Sequence, residues 1–113
     1  MNSYETVFIL TPVLSDAQVE EAVKKFESFL SENEAQIVNQ ENWGLKKLEY
    51  PIQLKRNGFY HLIEFKGEGE IVSKLELAFK RDERILRYIT VKLDKHAEAW
   101  ARERVNRRKT SKA

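Results

Sequence analysis

Between Tyr4 and Leu10 the chain alternates Tyr4, Thr6, Phe8 and Leu10 with Glu5, Val7 and Ile9, and β-branched and aromatic residues dominate, which predicts a strand. The period then changes. Ser15 with Gln18 three residues on is a capping-box signature, and Val19, Val23, Phe26 and Leu30 follow on one helical stripe. Residues 35–53 predict a long second strand. Its large apolar residues switch parity between Leu45 and Leu48, which suggests a bulge near Lys46-Lys47. A basic turn at Arg56-Asn57-Gly58 leads into a third strand over 59–66. Ile71, Leu75, Ala78 and Phe79 mark a second helix, and residues 85–93 a fourth strand.

The order β-α-β-β-α-β, with right-handed crossovers, closes most simply as a four-stranded antiparallel sheet with both helices on one face. This is an α+β, ferredoxin-like domain over residues 1–93, with the first and third strands central. Residues 94–113 form a basic C-terminal extension, helical to about Arg107 and disordered beyond. The apolar stripe of that helix is only Ala97, Trp100, Ala101 and Val105, too thin to hold it in isolation. It either docks through Trp100 or orders when it meets a partner.

The third strand is apolar on both faces, which implies a sheet covered on both sides. Two helices supply one cover, so the other must come from elsewhere. If Phe8 and Leu10 face the helices, Val7 and Ile9 face outward. On the third strand either Phe59, His61, Ile63 and Phe65 or Tyr60 and Leu62 must do the same. Contiguous apolar surface of this kind marks a binding face. Val7, Ile9, Tyr60, Leu62 and Trp100 are therefore the expected protein interface.

The formal net charge of +2 over 113 residues hides an asymmetry. Residues 95–113 hold seven Lys/Arg against two Glu, and residues 1–94 hold thirteen against sixteen Asp/Glu. A basic tail on a near-neutral body suits an anionic partner. The predicted topology also gathers Lys55 and Arg56 at the hairpin tip with Lys80, Arg81 and Arg84 around the turn after the second helix. Lys46 and Lys47 lie along strand two, and Arg87 and Lys92 along strand four. Cations converging on one scaffold edge suit a phosphate backbone.

Catalytic chemistry finds little footing. There is no cysteine to complete a nucleophilic pair with His61 or His96, and no clustered metal-ligand spacing. Gly67-Glu68-Gly69 lacks the third glycine of a phosphate loop, and Glu68 and Glu70 would oppose an anion. The loop after strand one lacks the glycines and arginine with which acyl-phosphate hydrolases of this topology hold phosphate. We therefore expect no enzyme, metal, cofactor or small-molecule substrate. No apolar run approaches the roughly 18 residues of a membrane helix, and the start lacks a basic leader, so a cytoplasmic protein without membrane contact is expected. The alternatives are a ferredoxin-like regulatory module and a single-stranded nucleic-acid-binding module. The latter is weakened because His61 and Glu64 stand where base-stacking rings would be needed.

The element order, the opening Tyr4-Glu5, the segment Gly44-Leu45-Lys46-Lys47-Leu48-Glu49-Tyr50-Pro51-Ile52 and the approach Arg81-Asp82 through Arg87 to Val91-Lys92 resemble the bacterial small-ribosomal-subunit protein six family over residues 3–93. Glu49 and Gln53 depart from that family's usual pattern. The resemblance implies a structural constituent of the small ribosomal subunit. It would form a heterodimer with small-subunit protein eighteen and bind the central domain of the small-subunit ribosomal RNA. By position it implies RNA contacts at Lys46, Lys47, Lys55, Arg56, Arg87 and Lys92, with Tyr4 stacking or hydrogen-bonding. Arg102, Arg104, Arg107, Arg108 and Lys109 would add contacts or clasp the partner.

Overall fold

The computed structural model describes residues 2–52 and 55–94, the side chains of 49–52 excepted. The predicted tail helix, with Trp100 and the tail arginines, lies outside them. The elements are β1 (Asn2–Leu10), α1 (Asp16–Glu32), β2 (Gln36–Ile52), β3 (Lys55–Gly67), α2 (Gly69–Arg81) and β4 (Ile85–Leu93). They form one antiparallel sheet in the order β2-β3-β1-β4, with β1 and β3 central.

The local signals act as chemistry requires. The Ser15 hydroxyl accepts from the Gln18 N–H at 3.2 Å, and the Gln18 side chain accepts from the Ser15 N–H at 2.8 Å, so both orphan donors are satisfied. Helix α1 then buries Val19, Ala22, Val23, Phe26 and Leu30 along one stripe. It stops at Asn33, whose side-chain amide donates to the Phe29 carbonyl at 2.8 Å. On the sheet, Tyr4, Phe8, Leu10, Ile63 and Phe65 join the helical residues in one core. Phe26 packs against Phe8 at 5.4 Å and Phe79 at 4.6 Å between ring centroids. Burying three such rings supplies much of the hydrophobic driving force.

One turn signal resolves differently from expectation. Arg56-Asn57-Gly58 lies inside β3, and the strands are joined earlier in the chain, between the paired Ile52 and Lys55. Gly58 serves packing instead. A Cβ there would collide with the Ile9 side chain, which crosses β3 at that point beside Leu48. The irregularity expected near Lys46-Lys47 is met by a register shift between Lys47 and Ile52, and β2 has two more, between Ile37 and Asn39 and between Asn42 and Gly44, where Gly44 adopts φ +75 and Asn42 Oδ1 accepts its N–H at 2.9 Å. Only glycine takes that backbone without strain. Leu45 is 56% exposed, while Leu48 is buried beside Gly58.

Candidate nucleic-acid interface

The β2–β3 hairpin outruns its neighbours. β1 stops at Leu10, opposite Phe59, whereas pairing of β2 with β3 continues through Lys46–Gly58 and Lys47–Asn57 to Ile52–Lys55. At ~3.3 Å per residue, residues 55–58 carry this arm roughly 13 Å past β1. Alternation distributes its cations: Lys46 and Arg56 fall on the open face of the sheet, Lys47 and Lys55 on the helix side. All but half-buried Lys55 are exposed. Exposed cations on a projecting arm are placed to meet phosphates.

At the same end, the Thr11 N–H donates to the Arg84 carbonyl at 2.8 Å, which ties the loop after β1 to the α2–β4 turn. Lys80 and Arg81 are exposed there. Arg84 is not part of that free charge. Its guanidinium grips Asp82 at 3.0 and 2.8 Å, and Lys25 Nζ from α1 joins at 3.0 Å. The Arg84 side-chain hydrogen bond is the main cause that holds the Asp82 carboxyl well below the ordinary value of 3.8. Arg87, opposite Ile9, is exposed on the open face near this end. Lys92, opposite Tyr4, is exposed near the other end and on the helix side, so the fold does not bring it to the arm.

Tyr4 does not offer a stacking surface. Its ring is 7% exposed and packs against Phe65 at 5.6 Å, while its hydroxyl accepts from Asn2 Nδ2 at 3.3 Å. Its place in the strand pattern, on the helix-facing side, explains this. An aromatic that sequence reasoning missed lies beside the arm. Trp43 is half-buried and lies nearly parallel to Tyr60, with ring centroids 6.3 Å apart and planes at 19°. Lys46 Nζ sits 5.1 Å from the Trp43 ring centroid, and the indole N–H donates to Glu41 at 3.0 Å. The bulge at Asn42–Gly44 sets this geometry, and the period-two pattern gave no sign of it.

His61 is a packed residue. It faces α1, 6% exposed, with Phe8 at 5.4 Å and Nε2 3.0 Å from Gln40 Oε1. Burial pushes its pKa down, opposed by the Glu27 charge. The outward set on β3 is Tyr60, Leu62 and Glu64. As expected, Val7 and Ile9 share that face. Their exposure differs from expectation: Ile9 is 8% and Leu62 0% exposed, while Val7 and Tyr60 are half-buried. Ile89 and Val91 on β4 are the open apolar residues of this face, at 57% and 44%.

Fold and surface together define a ferredoxin-like α+β domain with a projecting cationic hairpin. Residues 3–92 match the family model described as ribosomal protein S6, and the chain belongs to that family. It is 59% identical over 112 residues to small ribosomal subunit protein bS6 of Phocaeicola vulgatus, covering 99% of this chain and 98% of that protein. The bS6 protein of Flavobacterium johnsoniae is 57% identical over the full length of both chains. The crystal structure of 30S ribosomal protein S6 from Thermotoga maritima superposes with a TM-score of 0.80 over 94% of this chain and 97% of that one. At 24% identity, that similarity speaks to the fold.

Proposed function

We propose that this chain is a structural constituent of the bacterial small ribosomal subunit, in the cytoplasm, and that it binds the central domain of the small-subunit ribosomal RNA jointly with small-subunit protein eighteen. The observation that carries the RNA reading is the arm: Lys46, Lys47, Lys55 and Arg56 stand on a hairpin beyond the core, with Glu49 the one acid between Leu45 and Gly58. Arg87 extends this surface along the open face. Their role is to pair with phosphates and fix orientation, not to read bases. Protein eighteen would meet the exposed Ile89–Val91 edge, which nothing in the helical layer covers.

Family membership supports the subunit role, and His61, packed against Phe8 and bonded to Gln40, supports a scaffold over a catalyst. A basic rim of this size holds RNA weakly at physiological salt, because each phosphate contact depends on counterion release. A second basic protein adds contacts without repeating the whole entropic cost of association. Titrating a central-domain RNA fragment should therefore show weak binding by this protein alone and much tighter binding by the heterodimer. Equal affinities for the two would overturn the joint-binding account.

A further inference from the structure

A groove lies on the helix side of the sheet, away from its open face. Leu45 and Phe59 are strand partners there, and Phe59 is also the partner of Leu10, a core residue. The helical layer leaves this outer pair in view, with Leu45 exposed and Phe59 half-buried. Together with Val19 and His61 they line a groove of about 480 Å³, whose α1 wall carries Asp16 and Glu20.

The chemistry of the groove is divided. Its floor is apolar, while Asp16 and Glu20 are exposed and stand four residues apart on one helix face, where like charges repel. Neither acid has a cationic partner among the described residues. His61 is the most buried of the lining residues. Its Nε2 donates to Gln40 at 3.0 Å, and its Nδ1 has no hydrogen-bond partner among the described residues. An apolar floor, two uncompensated carboxylates and an unmet acceptor suit one kind of guest: a hydrocarbon stem that ends in a cation bearing N–H donors.

We infer that the groove takes an arginine-anchored segment of a partner protein. The methylene stem of arginine covers Leu45 and Phe59, while its guanidinium stays at the wet rim between Asp16 and Glu20. The planar fork serves carboxylates, and its face lies well on an aromatic ring such as Phe59, which a lysine ammonium matches less closely. Arginine is also a common anchor residue at the centre of protein interfaces. RNA suits the groove poorly, because the two carboxylates repel phosphate. Lys47 follows Leu45 by two residues, about 7 Å along the arm. Phosphates on the arm and an arginine in the groove therefore sit side by side without sharing a residue.

The test uses the full-length protein and a capped Leu-Arg-Leu peptide, without ribosomal RNA, so its result is independent of the RNA-binding proposal. Titrated at millimolar concentration, the peptide should shift the Val19 and Leu45 methyl resonances and the Phe59 ring signals saturably, and leave the Ile89 and Val91 methyls in place. A counterpart with citrulline for arginine keeps the shape without the charge and should bind about tenfold more weakly. The parent peptide should lose about as much against the Asp16→Asn, Glu20→Gln double variant. Both substitutions fall at exposed positions, so the unfolding curve of that variant should match the parent's. An absence of saturable shifts at the groove, or equal affinity for the citrulline peptide, would overturn the inference. So would tighter binding of a short single-stranded RNA at the same resonances. Movement of those resonances on diluting the protein alone would make a second copy the occupant and overturn it too.

Discussion

Gly58 illustrates how one missing Cβ shapes two strands. Asn57-Gly58 carries the composition of a hairpin turn, yet it sits in regular pairing because Ile9 occupies the space a side chain would need. Gly58→Ala should lower stability by about 1–3 kcal/mol, the usual cost of overpacking, read as a reduced urea midpoint with an unchanged m-value. Ile9→Ala in the same chain should return part of that loss, since the two changes meet at one contact. Additive losses would show that Gly58 is there for its backbone instead. The parity of β1 places Ile9 outward, but the sequence does not say that it leans over a neighbouring strand.

At the scale of elements, Asp82 joins three of them. It ends α2, accepts Lys25 from α1 and holds Arg84 at the entry to β4. Because its folded pKa is depressed, this contribution is fully present above the ordinary 3.8 and is lost as pH falls through the folded value. Asp82→Asn should cost about 1–2 kcal/mol at neutral pH. The gap to the parent should narrow progressively in denaturation curves taken below pH 3.8. A gap that stayed constant with pH would mean that shape, not charge, makes the contribution. In the sequence Asp82 is only an acid among Lys80, Arg81 and Arg84; the short Arg84 contact makes it the centre of the local network.

For the whole molecule, charge is segregated by shape. The arm concentrates exposed cations beyond the core, and acids gather on the middle of the open face. Replacing Lys46, Lys47, Lys55 and Arg56 together by Gln should flatten the slope of log K against log salt by about 3, at roughly 0.7–0.9 per lost phosphate contact. Thermal unfolding should barely move, since surface substitutions of this kind are usually within about 0.5 kcal/mol. A quadruple variant with an unchanged salt slope would place the RNA surface elsewhere.

The sequence by itself determined the element order, the helix-facing stripe and the family. Periodicity, the Ser15 cap and the Gly44–Ile52 segment are local signals, and hydrophobic burial enforces them wherever the chain collapses. Only the tertiary structure decided where the hairpin turns, that Tyr4 is sealed against Phe65, that Arg84 is spent on Asp82, and that Trp43 lies along Tyr60. Each of these depends on which residue sits across a strand pair or layer, a distance in space that no spacing along the chain encodes.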